Sequence, residues 1–596
     1  MKHLLLLFLF SIAFFPLKAQ EREVLPKGLA PHEAPLIPAY RDSRAAEARG
    51  ITTPPEFPVR TMAEWEEVQA LVVVWEGYSG ILKQIVAHAK EECEVIVVCE
   101  DTLEVHTYLT SNLFGGPIDD MSNVTLLEAP SNSVWVRDYG PETIYANEVD
   151  SLMLIDWIYN RPRPLDDALS DVIANHMGLP IYSTTQAPYD LVHTGGNFMA
   201  DGFGTAFSSR LVIDENGPDG DFNQTVKNEQ QIGDIMEDFM GIEQGRYILM
   251  ETLPYDAIHH IDMHMKLLDE ETLLVGEFPA GVSDGPQIEA NIDHVDNYNS
   301  VYGTPYEFIR IPMPPSTSGG YPGGPFGNAY YRTYANNIFI NGTVLVPTYR
   351  DEYDTTGLRI LRESLPGYNV IGIDCDNSGM NIISASGAIH CITKAIGVPD
   401  PLLISHQRLR DTYETVQPYE VEAYIRHKSG IASAQLYWTT DTAQGFAPIG
   451  MTAAADDMWL ADIPAQAVGT EIFYYIEAQA NSGKVQVRPI VAPEGWWRFE
   501  VLDISASIAD VDGPVINEVF PNPTSSVMMA VIEGTGDDRV TVTMHDALGR
   551  EVMHVFEGRM PADGRVFADL SYLGEGAYLL VVQNANGRTV HKVVKR

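Results

Sequence analysis

Five short polar clusters recur along the N-terminal two thirds of the chain, and their spacing constrains the fold more than any other feature. They are Trp135-Val-Arg137-Asp138-Tyr139-Gly140-Pro141, His193-Thr-Gly195-Gly196-Asn197, His259-His260-Ile-Asp262-Met-His264, Tyr334-Ala-Asn336-Asn337 and Gly387-Ala-Ile-His390-Cys391. Successive clusters lie about 55 to 75 residues apart, the signature of a repeated supersecondary unit that delivers one loop or strand end per repeat to a common centre. Short apolar runs predict strands at Ala70–Trp75, Glu94–Val98, Val124–Leu127, Leu152–Trp157, Leu273–Val275, Ile338–Pro347 and Val370–Ile373. Stretches with helical character lie between several of them, at Ile81–Glu92, Pro164–His176 and Glu229–Met240. Such alternation predicts an α/β catalytic-type domain.

The texture changes after Pro399-Asp400-Pro401. Residues 403–502 carry alternating strand patterns without a helix, and their length suits an immunoglobulin-like sandwich. A linker, 503–513, leads into a second all-β block, 514–596, which ends on Arg588, His591, Lys592, Lys595 and Arg596. At the other end, Lys2 and His3 precede the apolar run Leu4–Phe15, with Ala19 beyond it. That is the pattern of a secretory signal peptide over 1–20, too short to span a membrane. Residues 21–58, rich in Pro, Ala and Glu, read as a propeptide, a linker or an arm lying on the catalytic domain, which would run over 59–402.

With 82 acidic and 38 basic residues among 596, the formal net charge is −44. Nucleic acid is therefore an unsuitable partner, whereas cationic ligands are favoured at long range. The four cysteines, Cys93, Cys99, Cys375 and Cys391, are too few for a disulfide framework in an exported chain this long. Cys93 and Cys99 bracket an extended run, so about six residues at 3.3 Å hold them too far apart to bridge. No spacing of a structural zinc site occurs.

Cys391 precedes the helix-like Ile392–Ile396, and a thiol at a helix start is favoured as thiolate. Cys375 lies between Asp374 and Asp376, which discourage thiolate formation and make it the poorer nucleophile. If the third cluster is a strand, His260, Asp262 and His264 share a face. They then form either a metal triad or a general acid/base histidine beside a carboxylate that receives a cation. Trp135 is placed to cover a flat cation. Arg161 and Arg163, held in Asn-Arg-Pro-Arg-Pro, are suited to fork a carboxylate.

Together these motifs resemble the guanidino-group-modifying superfamily, in particular its agmatine deiminase and Porphyromonas-type bacterial peptidylarginine deiminase branch. W-x-R-D-x-G-P, T-G-G-N followed by Asp201-Gly-Phe-Gly-Thr, H-x-D, Y-x-N and I-H-C carry the resemblance over about residues 60 to 400. It implies a pseudo-fivefold α/β propeller (the pentein fold) with the active site on its axis, followed by two all-β immunoglobulin-like sandwiches. It implies Cys391 as nucleophile, Asp138 and Asp262 as forks for the guanidinium, His260 as acid and base, and Asn336 as an orienting group. Trp135, Arg161 and Arg163 would bind substrate, and neither a cofactor nor a metal is required. Thr194 stands where the agmatine branch carries a glutamate, and that branch lacks the paired arginines. The segment before Cys391, Ser-Ala-Ser-Gly-Ala, departs from that branch's glycine run. The resemblance therefore implies deimination of arginine-containing peptides or proteins, at a C-terminal arginine, to citrulline and ammonia. Agmatine is the alternative substrate.

Phe520-Pro521-Asn522-Pro523, Asp546-Ala-Leu-Gly549 and Gly574-Glu-Gly576-Ala-Tyr578 with the basic tail resemble type IX secretion sorting domains. The implied partner is that secretion machinery, and the implied location is extracellular or on the outer-membrane surface after removal of the domain. Two other readings compete with the deiminase: a metal-dependent hydrolase built on His260, Asp262 and His264, and a surface adhesin whose β modules do the work. The acidic loop Asp214–Asp221 would suit a structural ion.

Overall fold

A computed structural model describes residues 24–47, 49–323, 329–377, 379–503, 514–533, 539–546, 549–561, 564–574, 576–584 and 587–596. The expected signal peptide, and the expected linker apart from Asp503, lie outside the described residues.

Among the described residues the catalytic region contains five small sheets. One is ordered Val59–Thr61, Glu142–Ala146, Leu152–Trp157, Ile181–Thr184, and three more begin at Met199, Met265 and Ile338. In each, an antiparallel hairpin is followed by a helix and a parallel strand. The fifth joins the ends of the region. Lys394–Gly397 pairs antiparallel with Val68–Val74, and Glu94–Cys99 and Val124–Glu128 follow in parallel. Strands such as Leu152–Trp157 are buried along their whole length, as expected where both faces are covered. The helix Glu229–Met240 shows the complementary pattern. Asn228 and Gln231 form a capping box, and Ile232, Ile235, Met236 and Phe239 are buried at helical spacing.

Each polar cluster precedes the first strand of its sheet's antiparallel pair, a hairpin in four sheets and the closing pair in the fifth. The short helix Val136–Tyr139 precedes Glu142–Ala146, and the 3-10 turns Gly195–Asn197, Ile261–Met263 and His390–Ile392 precede Met199, Met265 and Lys394. Tyr334–Asn337 runs directly into Ile338–Ile340.

Three local expectations fail. The run Ile338–Pro347 is not one strand but a hairpin, because Asn341 turns the chain at a positive φ of 49°. Residues 392–396 are not helical. After the turn His390–Ile392 the chain enters the strand Lys394–Gly397, whose pairing with Val68–Val74 overrides its weak strand propensity, so no helix dipole acts on Cys391. The third cluster is a 3-10 turn rather than a strand, and His260, Asp262 and His264 do not share a strand face.

Beyond residue 402 the chain forms separate β-sheet domains. Leu403–Ser405, Tyr419–Arg426, Met458–Ile463 and Thr452–Ala453 make one sheet, and strands from Ile431 to Glu500 make another. Val421, Ile425, Leu436 and Ile476 from the two sheets share one core. Arg410 of this domain pairs with Glu271 of the catalytic region at 2.9 Å. The described residues between 514 and 596 form two further sheets around Met528, Val542, Leu580 and Val593.

The segment before residue 58 lies on the catalytic region. Its helix, Ile37–Ala46, packs Ile37 and Tyr40 against Ile158, Val192 and Phe222. Arg44, buried, reaches Asp167 at 2.6 Å and Asp156 at 3.2 Å.

Candidate active site

The turn His390–Ile392 buries the Cys391 thiol completely. Asn336 Nδ2 donates to Cys391 Sγ at 3.2 Å and to the carbonyl of Asp262 at 3.2 Å. Asn336 Oδ1 accepts from the amide of His390 at 3.1 Å. One amide side chain thus ties together the turns that carry the thiol and the carboxylate. Sγ lies 3.5 Å from Asp262 Oδ2.

Asp138 closes the opposite side. Its Oδ1 accepts from the Gly196 amide at 3.3 Å and lies 3.4 Å from His260 Nδ1. Its own carbonyl accepts from Trp157 Nε1, which fixes the backbone. His260 Nε2 meets the Thr194 hydroxyl at 3.2 Å. A Cβ on Gly196 would fall 2.6 Å from His260 Nδ1 and 2.8 Å from Asp138 Oδ1, so only glycine permits this approach. A Cβ on Gly387 would strike the Trp135 ring at 2.4 Å.

The centre of this arrangement is filled by the chain itself. Lys27, fully buried, donates from Nζ to Cys391 Sγ at 2.8 Å. The same nitrogen lies 3.7 Å from Asp138 Oδ1 and 3.8 Å from Asp262 Oδ1. Asp262 Oδ1 has no hydrogen-bond donor of its own. The thiol and two carboxylates distant in sequence therefore converge on one cation.

Burial opposes a charge on Lys27, but Asp138, Asp262 and the thiol outweigh it and hold the ammonium well above the ordinary lysine value. Burial likewise opposes ionisation of Asp138, yet Lys27 and His260 drive its carboxyl far below the usual range. Burial and Asp262 push the Cys391 thiol up to about 12, with Lys27 acting in the other direction. Burial lowers His260, against the pull of Asp138. Both shifts favour the uncharged forms of the thiol and the imidazole.

Trp135 Nε1 donates to the carbonyl of Leu25 at 2.9 Å, so this edge of the indole lies along the arm. Arg161 Nε donates to the Lys27 carbonyl at 3.1 Å. Arg163 forks the carboxylate of Glu33 and donates from Nη2 to the carbonyls of Pro26 and Gly28. His264 stands apart: neither of its ring nitrogens has a hydrogen-bond partner. Among the described residues no three His, Cys, Asp or Glu side chains form a metal-holding group, so the triad geometry of the metallohydrolase reading is not realised. Burial, Asp374 and Asp376 push the Cys375 thiol well above its ordinary value.

Beneath the pocket lies a layer the sequence did not disclose. His390 Nδ1 meets Asp262 Oδ2 at 2.8 Å, and its Nε2 meets Glu64 Oε1 at 2.6 Å. Glu64 also pairs with Lys266 and with Arg137 Nη1. The position of His390 beside Cys391 was the available signal; Glu64 carries none.

A buried thiol between two carboxylates and a histidine defines a hydrolase of the deiminase type, acting on guanidino groups through a cysteine nucleophile. Residues 56–396 match the family of Porphyromonas-type peptidyl-arginine deiminases, and the chain belongs to that family. A protein of Legionella pneumophila named "Putative agmatine deiminase" is 24% identical over 361 residues, 58% of this chain and 96% of its own length. A Shewanella baltica protein of the same printed name is 25% identical over 376 residues, 59% of this chain and 97% of its own. The solved agmatine deiminase of Enterococcus faecalis aligns with a TM-score of 0.49 at 18% identity, covering 59% of this chain and 99% of that one. Residues 518–596 match a secretion system C-terminal sorting domain. The chain is secreted, with the type IX machinery as its export partner. Among the described residues no helix is long and apolar enough to cross a membrane.

Proposed function

We propose that the chain removes ammonia from a guanidinium group through a covalent intermediate on Cys391. The convergence of Cys391 Sγ, Asp138 and Asp262 on one buried cation carries this reading. A guanidinium in place of the ammonium is planar and offers N–H pairs to both carboxylates, including the undonated Asp262 Oδ1. Its fixed charge assists ionisation of a thiol that is otherwise protonated. His260, neutral, takes the thiol proton as Sγ adds to the guanidinium carbon, and delivers it to the departing nitrogen. Ammonia leaves, and a thiouronium remains on Sγ. His260 then activates water, which breaks the C–S bond and restores the thiol. Asn336 orients Sγ throughout. The five-sheet organisation supports a pseudo-fivefold propeller over 59–402, and the shared two-sheet core supports an immunoglobulin-like sandwich over 403–502.

Two substrates fit this chemistry. Agmatine has the wider support among the relatives, whose printed names favour it. Peptidyl-arginine is supported by the family description and by a local observation. Arg161 holds the carbonyl of the very residue whose side chain enters the pocket, with Arg163 on both neighbours. At a C-terminal arginine that carbonyl is a carboxylate, which adds charge to the same contact. Agmatine has no group to place there. A ureido-product assay on agmatine, free arginine and peptides with internal or terminal arginine, with Cys391→Ala as control, separates the two. Turnover of agmatine alone rejects the peptide reading, and turnover by Cys391→Ala rejects the mechanism.

A further inference from the structure

The mechanism has no use for Lys27, yet this side chain occupies its centre. The surrounding arm is not draped loosely over the entrance. The Lys27 amide donates to the Ala385 carbonyl at 3.0 Å. The carbonyls of Leu25, Pro26, Lys27 and Gly28 accept from Trp135, Arg163, Arg161 and Arg163 in turn. Every main-chain carbonyl from Leu25 to Gly28 is therefore read by the residues assigned to substrate binding, and the chain continues beyond the pocket in both directions. Further out, Glu33 pairs with Arg163, and Arg44 sits buried between Asp156 and Asp167. Exposed Ala45, Ala46 and Glu47 separate this docked stretch from Ile51, which bridges to Tyr182 of the first sheet.

We propose that residues 24–46 are an intramolecular pseudosubstrate: they fill a groove built for a polypeptide, Lys27 stands where the substrate guanidinium goes, and the chain is latent until the arm leaves. This rests on the deiminase reading and extends it to the class of substrate and to regulation. Lysine suits the role because it brings the cation without the electrophile. Its ammonium satisfies Asp138 and Asp262 but has no carbon for Sγ to attack. The arm also explains how a wholly buried thiol belongs to an enzyme, since departure of residues 24–28 opens the pocket along the path they now occupy. Cleavage in the exposed Ala45–Glu47 stretch frees the arm without touching the sheets.

The test uses the full chain and two variants. Glu33→Ala with Arg44→Ala removes two anchors of the arm while leaving Cys391, His260, Asp138 and Asp262 in place, and should raise deimination of added agmatine or arginine peptide on the order of tenfold or more. A synthetic peptide of residues 24–46 added to that variant should restore inhibition, and the same peptide with Lys27→Gln should not. In Lys27→Arg the arm acquires the electrophile. Sγ adds to its Cζ, ammonia departs with the thiol proton, and water splits the C–S bond, leaving citrulline at position 27 for mass spectrometry to detect. Equal activity of parent and loosened chains, or a Lys27→Arg chain that deiminates added substrate while its own position 27 stays arginine, overturns the proposal. If no form deiminates any guanidine, the deiminase reading falls instead, and calorimetry decides the inference. Binding of the 24–46 peptide to the loosened chain, lost with Lys27→Gln, upholds the arm as an occupant of the pocket; absence of binding overturns it.

Discussion

His390 Nδ1 lies 2.8 Å from Asp262 Oδ2, which leaves the other carboxylate oxygen free to face the cation in the pocket. The ring is held in turn by Glu64, so the pair fixes how Asp262 presents its open oxygen. His390→Gln and Glu64→Gln should lower kcat on the order of a hundredfold while moving KM less, because a small misplacement of a group engaged in the transition state costs about that much. A loss confined to KM would place these residues in binding alone.

Asp262→Asn should cost about a hundredfold to a thousandfold in kcat, since it removes a charge aimed at a desolvated cation. Near-normal turnover on either substrate would contradict the assigned role.

Gly196→Ala should abolish activity with little change in the far-ultraviolet dichroism. The added Cβ meets His260 Nδ1 at 2.6 Å and Asp138 Oδ1 at 2.8 Å, so the clash is local to the pocket. An active alanine variant would show that His260 and Asp138 need not approach so closely.

Arg161→Ala with Arg163→Ala in an arm-free chain should raise KM for arginine peptides by about tenfold or more, the effect of losing charge-assisted hydrogen bonds. Kinetics on agmatine should stay unchanged. Equal peptide kinetics would remove the clamp.

The pH dependence follows from the directions of the shifts. Burial lowers His260 below its ordinary 6.5, so the neutral ring needed to accept the thiol proton persists there and is lost only as pH falls further. The acid limb of kcat/KM should lie below 6.5, and a limb above it would give His260 a different protonation state. Docking of the arm obeys two opposite signs. Lys27 is raised, so its contribution is complete below 10.5 and fades only as pH rises through the higher docked value. Asp138 is lowered, so its contribution is complete above 3.8 and fades only as pH falls through the lower docked value. Hydrogen exchange of residues 24–46 should accordingly show protection that is flat across neutral pH once corrected for intrinsic rate.

The pocket was legible in the sequence where its residues stand in turns. Asp138, His260, Asn336 and Cys391 interrupt apolar strand patterns, and such interruptions are visible along a single chain. The spacing of the clusters also pointed to a repeated unit, because each cluster precedes the first strand of one antiparallel pair. Local conformation was less legible. The run at 392–396, Ile-Thr-Lys-Ala-Ile, is too short for its period to separate helix from strand, and pairing with Val68–Val74 decided it. Glu64 and Lys27 were invisible for a different reason. They meet His390 and Cys391 across 326 and 364 residues, and no spacing rule survives such separations.

The strand Lys394–Gly397, which locks onto Val68–Val74, begins three positions after the cysteine. Synthesis therefore delivers the reactive sulfur and the clasp that shuts the ring in the same few codons. A nascent chain that ends before Cys391 has neither, and by the time both exist Lys27 has long been made. If the arm is the pseudosubstrate proposed above, the cell that makes this protein is shielded twice from its chemistry, once by the order of translation and once by the leading segment.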